Sequence, residues 1–535
     1  MSYERSGCRV GLAPPSLIGG LKPTLLILIS ILLLVGAGAA VADVKLPAVI
    51  GDNMVLQQGG KVSIWGWADP GEEVAVGVSW NSMKFAVTAD KDGKWTFRIN
   101  PPKAGGPYEM TLTGKNTITI KNILVGEVWV CSGQSNMQMS VRSSANAEQE
   151  IAEAGYPKIR LFSVKLTVAE TPQSDCVGNW SECSPETVPG FSAVAYFFGR
   201  ELHKQLNVPV GLINTSWGGT PAEAWTRREV LEANPESAPI LKRYADAVAR
   251  YPQAMEEYKQ KLAEWKQAVE KAKAEGKNSP RRPGAPFGPG NPHSPAGLYN
   301  AMIAPLIPYD IQGAIWYQGE TNAGRAYQYR TIFPDMIKNW RDDWGVGKFS
   351  FLFVQLANFM QTRPEPGESA WAELREAQTM TLALPNTGMA VIIDIGDAVD
   401  IHPKNKQDVG KRLALWPLAG IYGKKLVYSG PIYKSMKVDG SSIILSFDHV
   451  GGGLVAKGDE QLKGFSIAGA DRKFVWADAK IDGNTIVVSS DKVSEPAAVR
   501  YAWADNPVCN FYNREELPAS PFRTDEWPGV TVNAR

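Results

Sequence analysis

Between Gly126 and Ile393 the chain returns repeatedly to short runs of almost unbroken apolar residues. Examples are Val128-Trp-Val-Cys131, Val208-Pro-Val-Gly-Leu-Ile213, Gly313-Ala-Ile-Trp-Tyr317 and Met389-Ala-Val-Ile-Ile393. A strand with one face in water alternates polar and apolar side chains, whereas a continuous apolar run suits a strand covered on both faces. Helix-length segments separate the runs, as crossover connections between parallel strands require. The expected fold class is therefore α/β, layered on a parallel sheet.

The flanks have a different texture. From Val44 to about Asn122 short alternating segments such as Val62-Ser-Ile-Trp-Gly-Trp and Trp95-Thr-Phe-Arg-Ile are broken by the turn-like Asp69-Pro-Gly and Lys91-Asp-Gly-Lys. These predict a small β-sandwich over residues 43–124. Alternation returns after about Lys425, as in Ser442-Ile-Ile-Leu-Ser-Phe447 and Thr485-Ile-Val-Val-Ser489, and predicts a β-rich region over 425–535. The central α/β domain then spans 125–424. It carries an insertion at about 228–297, strongly helical at first and then rich in Pro and Gly. At 535 residues the chain is too long for a single core, in keeping with this division.

Arg5, Arg9 and Lys22 precede the apolar stretch Leu25–Val35, and small residues ending in Ala40-Val-Ala42 follow. This is the order of a secretory signal peptide over residues 1–42, with an apolar core shorter than the roughly 20 residues that span a bilayer. The expected location is periplasmic or extracellular, without stable membrane insertion after cleavage. In an oxidising compartment Cys176 and Cys183 can close a small disulfide. No C-x-x-C pair and no H-E-x-x-H occurs, so neither a metal nor another cofactor is expected. A net charge of +1 with no long basic run gives no reason to expect nucleic acid as a partner.

Gly126-Glu-Val-Trp-Val-Cys-Ser-Gly-Gln-Ser-Asn-Met137 is the segment richest in chemical implication. A buried strand runs into the tight turn Ser132-Gly-Gln134, and Ser135 opens a helix. The serine hydroxyl then lies at the carboxyl end of a parallel strand, beside backbone N–H groups. A nucleophilic serine needs a base, and the chain has four histidines: His203, His293, His402 and His449. His203 lies in a helical pattern, His293 in the Pro-rich loop and His449 in the C-terminal β region. His402 instead follows a buried strand, in Asp394-Ile-Gly-Asp-Ala-Val-Asp-Ile-His-Pro403, where several acids are available to orient an imidazole. Ser135 and His402 are the expected nucleophile and base.

Gly133-Gln-Ser-Asn-Met137 resembles the first block of the sialate O-acetylesterases, a branch of the SGNH hydrolases. Trp316-Tyr-Gln-Gly-Glu-Thr-Asn322 resembles their third block, and Asp400-Ile-His-Pro-Lys-Asn-Lys406 followed by Gly410-Lys-Arg-Leu-Ala resembles the histidine-bearing last block. The similarity runs in order from about Leu46 to about Trp503. It implies an SGNH-type three-layer parallel-sheet domain and a serine esterase acting on an O-acetylated carbohydrate, most readily a sialate. Xylan or another acetylated glycan is the alternative substrate, and a non-catalytic carbohydrate-binding protein is the alternative outside enzymes.

The resemblance also implies site roles. Gly218 or Gly219, in Ile213-Asn-Thr-Ser-Trp-Gly-Gly-Thr220, would donate to the oxyanion. Gln318 or Asn322 would add a side-chain amide, and Glu320 joins these oxyanion- and substrate-facing residues. The acid departs from the common SGNH pattern, because position 399, three before the histidine, is Val. Asp400, through its side chain or its carbonyl, is expected to orient His402 ahead of Asp397.

Overall fold

The computed structural model describes residues 43–459 and 461–535. The expected signal segment 1–42 lies outside the described residues. In chain order the first strands are β1 (Val55–Gln57), β2 (Val62–Trp67), β3 (Glu73–Val78), β4 (Asn81–Thr88), β5 (Lys94–Ile99) and β6 (Gly105–Thr113). They are followed by β7 (Thr117–Gly133), β8 (Tyr156–Ser163), β9 (Trp180–Cys183), β10 (Val210–Asn214), β11 (Gly313–Tyr317), β12 (Ser350–Gln355) and β13 (Thr387–Val391).

The apolar runs lie side by side. The order is β13-β12-β11-β7-β10-β8, every neighbouring pair parallel, and β9 adds an antiparallel edge at β8. Val128, Trp129, Val130 and Cys131 of β7 have no solvent exposure. Burying a large apolar side chain of this kind contributes about 1.5–3 kcal/mol.

Strand β7 belongs to two regions at once. Over 17 residues it pairs first with β6 in the antiparallel sense, then with β10 and β11 in parallel. The change of texture at Gly126 therefore falls inside one strand, and β1 runs parallel to it at Leu124–Gly126. One apolar core joins the N-terminal β region to the parallel sheet, from Val44 to Leu418. The C-terminal β strands enclose a second core around Ile443, Phe465, Val488 and Phe511.

The helices are α1 (Ser135–Gln138), α2 (Ala147–Ala152), α3 (Ala193–Leu206), α4 (Arg228–Ala233), α5 (Ala238–Ala274), α6 (Ala326–Trp344), α7 (Ala370–Met380) and α8 (Lys406–Gly420). Side chains start the two that flank the site. Ser192 accepts from the Ala195 N–H at 3.2 Å ahead of α3, and Asn405 from the Asp408 N–H at 3.1 Å ahead of α8. Helices α3 and α8 pack on each other, and Gly410 makes their approach possible: a Cβ there would fall 2.6 Å from Phe197 Cβ and the Phe198 nitrogen. Helices α6 and α7 form another packed pair.

The segment 228–297 is dominated by α5, in which Ile240 is the one buried residue of 37. Surface pairs such as Lys242–Asp246 lace it, and the Pro-rich segment folds back along it through Trp265 Nε1–H to Pro280 O at 2.9 Å.

The cysteines differ from expectation. Cys176 and Cys183 are free thiols, the latter buried in β9 with its Sγ 3.6 Å from Ala154 O. Burial, chiefly, pushes both thiols up to about 12. Among the described residues no helix is long and apolar enough to cross a membrane, and no group of three or more His, Cys, Asp or Glu side chains is placed to hold a metal ion.

Candidate active site

The turn that carries Ser135 is fixed from both sides. Gly133 ends β7 at φ +138°, and a Cβ on it would stand 2.2 Å from Tyr317 O, so only glycine fits. The Gln134 N–H donates to Tyr317 O at 3.0 Å, and the Trp217 N–H donates to Gly133 O at 3.0 Å. These bonds tie the turn to the carboxyl ends of β11 and β10. Ser135 is the first residue of α1 and half-buried.

The histidine arrives on the loop after β13, which is anchored at its root. Arg412 of α8 holds Asp394 through two bonds, at 2.6 and 2.7 Å, and the Gly396 N–H donates to Asn358 Oδ1 at 2.7 Å. His402 Nε2 then lies 2.9 Å from Ser135 Oγ, and its Nδ1 lies 3.1 Å from Asp400 Oδ1. With Nδ1 protonated toward Asp400, Nε2 presents its lone pair to the serine hydroxyl.

Asp400 Oδ1 also accepts the His402 backbone N–H at 2.9 Å. That bond, followed by the side-chain contact and charge of His402, holds the Asp400 carboxyl below the ordinary carboxylate range. Asp397 Oδ1 accepts instead from the N–H groups of Val399 and Asp400, at 2.8 and 3.2 Å, and so shapes the loop. The pair is open to water: the His402 side chain is 39% exposed and that of Asp400 52%.

The residues expected to face an oxyanion divide. Gly218 adjoins the serine, since a Cβ on it would come within 3.4 Å of Ser135 Cβ, but its N–H already donates to Gln138 Oε1 at 2.8 Å. Gly219, exposed and at φ +76°, has an N–H without an acceptor among the described residues, as has Ser135. The Nε2 of His293, a residue expected merely to occupy a loop, is 4.0 Å from where a Gly219 Cβ would be.

Gln318 and Asn322 depart from the expected role. Gln318 Nε2 donates to Asn322 Oδ1 at 2.6 Å and Thr220 O at 3.2 Å, while its Oε1 accepts from Tyr329 OH at 2.9 Å. Asn322 Nδ2 donates to Glu223 Oε2 at 2.9 Å, and its oxygen also accepts the Ala222 N–H at 3.0 Å. Gln318 is 0% and Asn322 1% exposed. Buried amides must find internal partners, and these two have found them beneath the site.

Glu320 is an acceptor, taking a bond from Asn136 Nδ2 at 2.6 Å. Two further residues of these motifs join it, Asn136 and Lys406. Lys406 has no solvent exposure and donates to Asn136 Oδ1 at 2.5 Å. The signal available for both was position alone: a polar residue directly after the serine and a lysine four after the histidine.

Residues 125–278 and 292–416 match the family model described as carbohydrate esterase, sialic acid-specific acetylesterase. A sialate O-acetylesterase of Rattus norvegicus is 32% identical over 94% of this chain and 98% of its own length. The chain belongs to the sialic acid-specific acetylesterase family. It is thus a carbohydrate esterase, a hydrolase of carboxylic esters. The human sialate O-acetylesterase is 31% identical over 91% of the chain and 94% of its own. Among solved structures, a carbohydrate acetylesterase from Xanthomonas citri matches with a TM-score of 0.76 and 38% identity, covering 91% of this chain and all of that one. In a chain of this family, a large mixed sheet with additional β-rich sheets is consistent with an SGNH-like esterase fold.

Proposed function

We propose that the chain removes O-acetyl groups from sialates with Ser135 as nucleophile and His402 as base. One observation carries the reading: Ser135 Oγ, His402 Nε2, His402 Nδ1 and Asp400 Oδ1 are aligned through contacts of 2.9 and 3.1 Å. His402 takes the proton as Ser135 Oγ attacks the acetyl carbonyl, and the carbonyl π electrons move onto oxygen. The N–H groups of Ser135 and Gly219 stabilise that oxyanion; a single such donor is typically worth about 10²–10³ in rate. Collapse expels the sugar oxygen, which takes the proton back from His402, and leaves an acetyl ester on Ser135. Water, deprotonated by the same imidazole, releases acetate and restores the serine.

The finer architecture follows the same reading. Helices α3 and α8 on one face of the parallel sheet and α6 and α7 on the other make the three layers of an SGNH domain, preceded by a β-sandwich over 43–124. The N-terminal 42 residues serve as a secretory signal and place the enzyme in the periplasm or outside the cell.

The relatives named sialate O-acetylesterase favour a sialate substrate. The Xanthomonas citri neighbour, at 38% identity, is described by carbohydrate alone, which favours xylan or another acetylated glycan as the second reading. Acetate release measured side by side on O-acetylated sialic acids and acetylated xylan decides between them. Turnover on neither, or equal turnover by Ser135→Ala, overturns the assignment.

A further inference from the structure

Beside the reacting pair lies a cluster that hydrolysis as written does not use. Asn136 follows the nucleophile directly. Its amide nitrogen donates to Glu320 Oε1 at 2.6 Å and to the main-chain oxygen of Ile401 at 3.0 Å, while its oxygen accepts from Lys406 Nζ at 2.5 Å. Three separate stretches of chain meet at this one amide: the opening of α1, the loop after β11, and the histidine loop where it enters α8. Ile401 precedes His402 as Ser135 precedes Asn136. The contact between Asn136 and Ile401 therefore lies one residue away from each member of the 2.9 Å pair.

An amide has a donor end and an acceptor end, and its neighbours decide which way it points. With Glu320 at one end and Lys406 at the other, reversal would set oxygen against carboxylate and NH₂ against ammonium. Both ionisable groups are held where charge is costly. Burial, partly offset by Glu320 and Asp400, lowers the Lys406 pKa to about 7. Burial likewise raises that of Glu320, against the bond from Asn136 and the charges of Lys406 and His402. The ring of Tyr317 lies 5.2 Å from Lys406 Nζ, and Glu320 Oε2 is buried with no partner among the described residues. A fold seeking stability alone would gain by replacing such groups with apolar ones.

We propose that Glu320 and Lys406 are positioning residues for ester hydrolysis: they lock the Asn136 amide so that it clamps the Ile401–His402 peptide against the helix opening at Ser135. The inference rests on the reading of Ser135 and His402 as the reacting pair.

The test is p-nitrophenyl acetate hydrolysis by the full chain across pH. This ester has no sugar to contact, so KM reports little beyond the acetyl site. Glu320→Ala and Lys406→Met are expected to lower kcat about 10- to 100-fold with KM within about twofold, the scale on which displacing a reacting group by an ångström acts. Glu320→Gln keeps an acceptor for Asn136 and recovers most of that loss. The acid limb of the profile supplies the readout that a purely structural role would not move. Losing the Glu320 anion destabilises the His402 cation and carries the limb to lower pH; losing the Lys406 cation carries it to higher pH. Glu320→Gln bears that test even where Lys406→Met fails to fold. Unchanged kcat in Glu320→Ala, or a limb that stays in place in Glu320→Gln, overturns the proposal. Failure of the underlying reading looks different: Ser135→Ala would hydrolyse the ester as the parent does.

Discussion

Asp400→Asn isolates what an exposed carboxylate contributes to a serine–histidine pair. Asparagine retains an oxygen that can accept both the His402 backbone N–H and Nδ1–H, bonds now 2.9 and 3.1 Å long, and removes only the charge. Two unit charges about 4 Å apart interact by about 1 kcal/mol in water and about 4 kcal/mol at an effective dielectric of 20. With Asp400 52% and His402 39% exposed, the pair lies between these limits and nearer the first. A loss of roughly 1.4–2.7 kcal/mol in the transition state follows, or about 10- to 100-fold in kcat. That is well short of the roughly 10⁴-fold given by a buried triad aspartate.

The sign of the pH effect is also fixed. Hydrogen bonding from His402 holds the Asp400 carboxyl below its ordinary range, so it is anionic wherever the enzyme works. Its removal destabilises the imidazolium, so the acid limb of kcat/KM must move to lower pH in Asp400→Asn. The parent should lose part of its advantage as salt is raised, since exposed charges are screened. Steady-state kinetics from pH 5 to 9 at two ionic strengths measures all three effects. A loss beyond about 10³-fold, insensitive to salt, would refute the screening argument. Activity within twofold of the parent would show that the Asp400 charge has no part in the reaction.

Ser135→Ala should abolish turnover and labelling by a fluorophosphonate while leaving the melting temperature within about a degree, because a half-buried hydroxyl contributes little to packing; labelling at another serine would refute the assignment. Asp397→Asn should keep catalysis within about tenfold, since Asp397 bonds loop N–H groups and not the imidazole; a larger loss with the fold intact by circular dichroism would make it the orienting acid. Asn322→Ala should cost about 1–3 kcal/mol of stability through the partners it leaves unpaired. It should alter kcat less than tenfold; a fall of 10²–10³ would restore it as an oxyanion donor. Gly410→Ala forces a methyl to 2.6 Å of Phe197 and should destabilise by about 1–3 kcal/mol in thermal melts, unless α3 and α8 move apart freely.

The parallel sheet was legible because its signal is one-dimensional. A run such as Val128-Trp-Val-Cys131 is apolar at every position only when both faces are covered, and no distant contact is needed to read it. The continuity of β7 was not legible for the converse reason. Thr117–Lys121 alternates and Ile123–Cys131 does not, so one strand reads as two elements. What changes along the strand is the number of covered faces, burial being unbroken from Ile123 onward. The free thiols of Cys176 and Cys183 were invisible on the same ground: proximity in sequence said nothing of the bond of Cys183 to Ala154.

Within the site the sequence disclosed which chemical groups are gathered, and left open which hydrogen bond each one uses. The pairing of Ser135 with His402 at 2.9 Å was readable because both lie just past the ends of buried strands, and the chain offers few histidines. The amides of Gln318 and Asn322 lie in the motif next to them and look like equally good donors. Their fate turns on Glu223, Tyr329 and Thr220, which come from two other stretches of chain and engage them. Asn136 is the mirror case. Nothing in its local sequence separates it from those amides, yet it meets Ile401, Glu320 and Lys406 between the serine and the histidine. A buried amide's role is set by the partners that burial brings to it, and for Asn136 those lie about 180 to 270 residues away in sequence.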